Sequence, residues 1–284
     1  MSAPAEPLAL GRIAVLGAGT MGETLIRGLL TAGVVTQEQI HATAGHEERA
    51  REVEEELGVS AGVDNRAAVA GADVVLLCVK PQGGARVLGE IAPVLQPRQL
   101  LISILAGVDT SAIERRLTGP VPVVRAMPNT PSLVGAGMTV LCAGRHAGDS
   151  SLRLARRLFV PLGRTLELEE RHFDAVTGLS ASGPAFVYLV IEALADGGVK
   201  VGLPRGVATE MAAQACLGAA TMVLSTGSHP ALLKDEVTTP GGCTVDGLLK
   251  LEEGGLRVTM IKAVVEASAK AGQLGPEDVG EREP

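Results

Sequence analysis

The ten residues Asp235-Glu236-Val237-Thr238-Thr239-Pro240-Gly241-Gly242-Cys243-Thr244 have the types and order needed to seat a small anion. Pro-Gly-Gly sets a tight backbone, Thr244 is placed to cap a helix beginning near Val245, and the freed N–H groups face an approaching carboxylate. At the other end of the chain, Gly17-Ala18-Gly19-Thr20-Met21-Gly22 follows a short apolar run and suits a pyrophosphate. Together the two turns suggest chemistry between a dinucleotide and a substrate that carries a carboxylate.

Glycine-rich turns acquire meaning from the elements around them. Here the turn follows the strand Ile13 to Leu16 and opens a helix ending near Thr31. Gly17 permits the turn, Gly19 lets backbone approach phosphate, and Gly22 lets helix and strand pack closely. The pattern predicts strands at Arg12 to Leu16, Ile40 to Thr43, Val74 to Val79, Leu100 to Ile104 and Val121 to Ala126. Helices fall between them at Gly22 to Thr31, Glu47 to Leu57, Gln82 to Val94 and Ser111 to Leu117, the last capped by Asp109 or Thr110. Strands at Met138 to Cys142 and Thr165 to Leu168 bracket a basic helix from Ser151 to Phe159.

This alternation describes an α/β, Rossmann-type dinucleotide-binding domain with a parallel sheet covered on both faces, expected over residues 1–168. After Arg171 the strand signals stop, and Ala/Leu/Val helices broken by Gly and Pro predict an all-helical domain over 169–284. The segment Ala185 to Val199 is apolar nearly all round, which places it in a core or a subunit interface. Because so thin a bundle is poorly covered by itself, a homodimer with intertwined helices is expected. The ends Met1 to Ala9 and Gly275 to Pro284 read as a frayed tail and a disordered tail.

Composition narrows the partners. Lys plus Arg number 25 against 32 for Asp plus Glu, and the net charge of -7 supplies no general attraction to nucleic acid or an anionic membrane. No uninterrupted apolar run approaches the roughly 20 residues of a membrane span, and no secretory leader is evident, so the expected compartment is the cytoplasm. Cys78, Cys142, Cys216 and Cys243 are far apart and lack metal spacing, which reads as buried free thiols; the five histidines form no ligand pair. No metal is expected. With no Trp, one Tyr and three Phe, the grip on a cofactor must come from backbone and aliphatic groups.

About 20 residues past the glycine turn, domains that prefer NAD place an Asp or Glu for the ribose hydroxyl. This chain has Ala42-Thr43-Ala44-Gly45-His46 instead. Nothing there repels a 2′-phosphate, and Thr43, His46 and Arg49 are candidate donors, so NADPH is expected, with NADH also admissible; the plain alternative is that His46 and Arg49 are solvated helix-start residues. Cys78-Val79-Lys80-Pro81 lies at the carboxyl end of a central strand, where open α/β sheets bind ligands. Met127-Pro128-Asn129-Thr130-Pro131 leaves another strand stiffened by two prolines and offers Asn129 as a hydrogen-bond partner, or serves only as a rigid connection.

Taken in order, Gly17 to Gly22, Val79-Lys80-Pro81-Gln82, Met127 to Pro131, Ser180-Ala181-Ser182-Gly183-Pro184-Ala185-Phe186 and Asp235 to Thr244 closely resemble the pyrroline-5-carboxylate reductase family over nearly the whole chain. The resemblance implies NAD(P)H-dependent reduction of 1-pyrroline-5-carboxylate, a cyclic imino acid, to L-proline. It also implies a helical dimerisation domain and dimers that often build decamers. Carried over by position, Gly17, Ala18, Gly19, Thr20, Met21 and Gly22 would surround the cofactor phosphates, while Val79, Lys80, Pro81 and Asn129 line its ribose and nicotinamide. Thr238, Thr239, Gly241, Gly242, Cys243 and Thr244 would seat the substrate carboxylate in a cleft between domains, with Thr244 near the ring nitrogen. Cys243 departs from the Thr or Ala more usual there, which puts a thiol beside the substrate. Related β-hydroxyacid dehydrogenases use a lysine on the first long helix after the sheet, and Ser182 to Asp196 contains none.

Overall fold

The computed structural model describes residues 11–274. The expected tails therefore lie outside the described residues. The chain falls into two compact units, residues 11–181 with 267–274, and Ser182–Glu266.

In the first unit the elements run β1 (Ile13–Leu16), α1 (Thr20–Thr31), β2 (Ile40–Thr43), α2 (Glu47–Leu57), β3 (Ser60–Gly62), α3 (Asn65–Ala70), β4 (Val74–Leu77) and α4 (Pro81–Ile91). They continue with β5 (Leu100–Ser103), α5 (Thr110–Glu114), β6 (Val123–Met127), β7 (Gly137–Ala143), α6 (Asp149–Phe159) and β8 (Gly163–Glu167). The strands form one sheet in the order β3-β2-β1-β4-β5-β6-β7-β8. Strands β1 to β6 are parallel, but β7 runs antiparallel to β6, which corrects the expected all-parallel sheet. The chain reaches β7 through a short connection rather than a crossover helix, and a short connection returns the strand in the opposite sense.

Continuous apolar strands suit a sheet covered on both faces. In β1, Ile13 and Val15 join one buried cluster with Leu25, Ile26 and Leu29 of α1, while Ala14 and Leu16 join another with Val87, Leu88 and Ile91 of α4. The β3 and α3 elements were not anticipated; three strand residues and six helical ones are too short for periodicity, although Asp64 caps α3 by accepting from Arg66 and Ala67 N–H. Asp109, not Thr110, caps α5, its carboxylate accepting from the Ala112 N–H at 2.6 Å.

The units divide elsewhere than the expected 168/169. After β8 come α7 (Phe173–Val176) and a π-helical stretch, Thr177–Ala181. Phe173 is fully buried with Met127, Val140 and Cys142, which ties this segment to the sheet. Arg125, 3% exposed on β6, donates to Glu170 Oε1 at 3.1 Å and lays its guanidinium over the Phe173 ring. Residues 267–274 belong here too: ideal Cβ atoms at Gly107 and Gly178 would meet the Leu274 carbonyl oxygen at 2.4 Å and Ser268 Oγ at 2.2 Å.

The second unit is helical, with α8 (Gly183–Lys200), α9 (Arg205–Thr226), α10 (Pro230–Glu236), α11 (Cys243–Glu253) and the start of α12 (Leu256–Gly272). Its buried cluster is small: Ala195, Ala208 and Ala212, flanked by Ile191 and Val199. Gly198 lets α8 and α9 approach, since a Cβ there would meet Ala208 Cβ at 3.0 Å. Tyr188, Leu189, Leu217, Leu224 and Ile261 stay exposed in the single chain. Two helical stretches, Glu170–Lys200 and Arg205–Thr226, are by length and composition apolar enough to cross a membrane, although scattered polar residues leave neither with an uninterrupted apolar run.

Candidate active site

The carboxyl ends of β1 and β4 meet at the point where the sheet's winding reverses, and the glycine turn sits there. The Thr43 carbonyl at the end of β2 accepts from both Gly17 N (3.1 Å) and Ala18 N (2.7 Å), fixing the turn to the neighbouring strand. Gly17 has φ +96°, and an added Cβ would meet the Val79 nitrogen at 2.8 Å. At Gly22 a Cβ would come within 2.2 Å of the Gly17 carbonyl oxygen. Around Gly19, by contrast, nothing lies within 4 Å. Two glycines make room for protein and the third leaves room outside it.

Gly19 is the cap of α1, which starts at Thr20 rather than Gly22, and no side chain satisfies the first amides. Free N–H groups at the positive end of a 12-residue helix, beside an open surface, form a phosphate cradle. The cradle fits a dinucleotide pyrophosphate. It opens on a groove of about 670 Å³ whose walls include Met21, His46, Val79, Lys80 and Pro81. Lys80 caps α4 from an exposed position, with Pro81 as the first helical residue.

Two expected cofactor contacts are otherwise engaged. Thr43 is 1% exposed, and its hydroxyl donates to Asn65 Oδ1 at 2.7 Å, so burial removes it from the groove and from the list of phosphate donors. Asn129 uses its amide to brace its own loop: Oδ1 accepts from Met138 N–H at 2.9 Å, and Nδ2 donates to the Ser180 carbonyl at 3.1 Å. His46 is exposed at the start of α2 with no cap bond. Arg49 donates through Nε to the Ala18 carbonyl at 3.2 Å and pairs with Glu52 and Glu23, hydrogen bonds that raise its pKa further. It buttresses the glycine turn.

Within the second unit, α10 ends at Glu236 and α11 begins at Cys243. Gly241 takes φ +70°, and Gly242 caps α11 with no side-chain hydrogen bond. Thr244 is thus the second helical residue and not the expected cap; the Gly-Gly pair turns the chain one step earlier, and its hydroxyl stays uncommitted to any cap. Thr238 donates its hydroxyl to the Lys234 carbonyl at 2.8 Å, closing α10, and the Gly242 N–H donates to the Thr239 carbonyl at 3.0 Å. A Cβ on Gly242 would meet Thr239 Oγ1 at 2.5 Å, so Thr239, Gly241 and Gly242 interlock as one turn. The first amides of α11 face outward from it, a second anion cradle.

The cysteines depart from the expected uniform burial. Cys78 and Cys142 are buried, Cys216 is half-buried and Cys243, on the first turn of α11, is exposed. Burial pushes the Cys78 thiol up to about 12. Burial, aided by the Glu170 charge, does the same to Cys142.

Residues 170–274 match the family described as pyrroline-5-carboxylate reductase dimerisation, and residues 12–107 match that described as NADP oxidoreductase, coenzyme F420-dependent. A pyrroline-5-carboxylate reductase of Glycine max is 42% identical over 271 residues, 95% of this chain and 97% of that protein. One from Methanosarcina acetivorans is 41% identical over 264 residues, 93% and 98% respectively. The Plasmodium falciparum pyrroline carboxylate reductase crystallised with NADP bound superposes with a TM-score of 0.86 at 30% identity, covering 95% of this chain and all of that one. With two glycine-shaped anion cradles and this likeness along the whole sequence, the chain belongs to the pyrroline-5-carboxylate reductase family.

Proposed function

We infer that this enzyme reduces 1-pyrroline-5-carboxylate to L-proline, with NADPH as the hydride donor. The observation that carries the reading is the pair of uncapped, glycine-turned helix starts, Gly19 before α1 and Gly242 before α11, in a chain so similar to its relatives. When bound, the nicotinamide supplies the hydride.

The residues present hold and orient. Gly17, Gly19 and the first amides of α1 bind the pyrophosphate, and Val79, Lys80 and Pro81 form a wall of the groove beside it. Thr239, Gly241, Gly242 and the amides of Cys243 and Thr244 hold the substrate carboxylate. Each hydrogen bond to that charged group contributes about 1.5 to 3 kcal/mol. A protonated cyclic imine already accepts hydride readily, so alignment and exclusion of water do most of the work. The Thr244 hydroxyl, free of any cap bond, is the group we place at the ring nitrogen.

The exposed apolar faces of α8, α9 and α12 and the dimerisation-family match support a homodimer rather than a membrane span; decameric assembly of such dimers follows from the family resemblance. Four free cysteines suit a reducing compartment, and we propose the cytoplasm. The test is NADPH oxidation by purified protein on adding the cyclic imine. Turnover with formation of proline is expected, and binding of NADPH without oxidation would sink the reading.

A further inference from the structure

NADP-selective sheets of this type place a cation near the end of β2, where the adenosine 2′-phosphate arrives. Here Thr43 is buried and Arg49 is occupied by Glu23, Glu52 and the glycine turn. Another cation lies on the groove wall, Arg86 of α4.

A chain of three hydrogen bonds sets its location. The Thr43 hydroxyl donates to Asn65 Oδ1 at 2.7 Å, Asn65 Nδ2 donates to Glu90 Oε2 at 2.6 Å, and Glu90 Oε1 accepts from an amino group of Arg86. Arg86 is therefore held on the β2 side of the groove. The Arg66 guanidinium anchors the same end of α4, its Nε donating to the Glu90 carbonyl at 2.8 Å. Glu90 is met by Arg86 and Asn65 together, so its charge is balanced on the spot. The Arg86 side chain is 67% exposed, and its Nε and second amino group have no partner among the described residues. That leaves one edge of a planar guanidinium for the two-point contact a phosphate prefers.

We propose that Arg86, oriented by Glu90, recognises the 2′-phosphate and sets the preference for NADPH over NADH. This rests on the cofactor reading above and assigns the preference to a residue of α4, outside the glycine turn that cradles the pyrophosphate.

The test is calorimetric titration of the full-length protein with NADP⁺ and with NAD⁺, comparing wild type with Arg86→Ala, Arg86→Gln and Arg86→Lys. Loss of a charged hydrogen bond predicts that the alanine and glutamine variants raise the NADP⁺ Kd about tenfold or more while the NAD⁺ Kd stays within about twofold. Lysine should recover part of the loss. At an exposed position two neutral replacements guard against one that misfolds, and thermal unfolding of each reports it. An equal rise for both nucleotides would assign Arg86 to adenine stacking and overturn the proposal, as would no change in either. A wild type that binds both equally would sink the NADPH reading itself.

Discussion

Arg125 and Glu170 meet at 3.1 Å between a fully covered strand and the segment that leads out of the sheet. The arginine side chain is 4% exposed and the glutamate 28%, and Glu170 also accepts from the Thr110 N–H (2.8 Å) and hydroxyl (2.7 Å). Removing the acid strands a buried cation whose Nε already lacks a partner. Glu170→Ala should destabilise the protein by about 2 to 4 kcal/mol, below the top of the range for buried pairs because Glu170 is partly solvated. Arg125→Met, which leaves no buried charge and replaces the guanidinium stack on Phe173 with an apolar contact, should cost less. The urea midpoints of the two variants check the order, and equal midpoints would contradict it.

The glycine turn makes opposite predictions at neighbouring positions. Gly22→Ala drives a methyl into the Gly17 carbonyl and should lower the melting temperature steeply. Gly19→Ala meets nothing in the protein, so its melting point should hold while its methyl intrudes on the pyrophosphate, weakening nucleotide binding about tenfold or more. Paired melting and titration curves would distinguish them. A Gly19→Ala protein that binds normally would remove the phosphate role from this turn.

Thr244→Val removes a hydroxyl that caps nothing. Turnover should fall about tenfold to a hundredfold, the value of a hydrogen bond to a charged group, with stability changed by less than about 1 kcal/mol. Unchanged kcat would take Thr244 out of the mechanism.

Thiol reactivity should follow burial. At about pH 8 iodoacetamide should modify Cys243 first, and proline should slow it if the α11 start seats a carboxylate. Cys78 and Cys142, raised from 9.0 to about 12, should stay unlabelled. Their raised values also give a sign for stability. Below pH 9 both states keep these protons; between pH 9 and 12 only the unfolded chain releases them, so stability falls with rising pH by up to about 1.4 kcal/mol per thiol per pH unit. Urea midpoints at pH 8 and 10.5 measure the drop, and Cys78→Ala should reduce it.

Strands such as β1 and β4 were legible because four successive apolar residues between turns admit few other placements. The two glycine turns were legible because each glycine answers a steric demand. What escaped was set by distant neighbours. That Thr43 is consumed by Asn65, or that Asn129 braces Met138 and Ser180, depends on residues 9 to 51 positions away. Arg86 carries no local signal beyond an Arg–Glu pair one helical turn apart, which most exposed helices also show. Cys243 looked buried beside glycine and threonine, yet a helix start facing outward exposes it.

The end of α12 and the residues after it, counted with the sheet although the mostly helical segment Ser182–Glu266 separates them from Ala181, make the nucleotide-binding half discontinuous in sequence. A gene cut after codon 181 would encode a sheet missing the Leu274 and Ser268 backing of Gly107 and Gly178. Neither half is thus a portable cassette. Recombination that swaps one for a homologue's must exchange the C-terminal stretch as well, and a circular permutant opened within residues 182–266 would keep every piece of the sheet half in a single run.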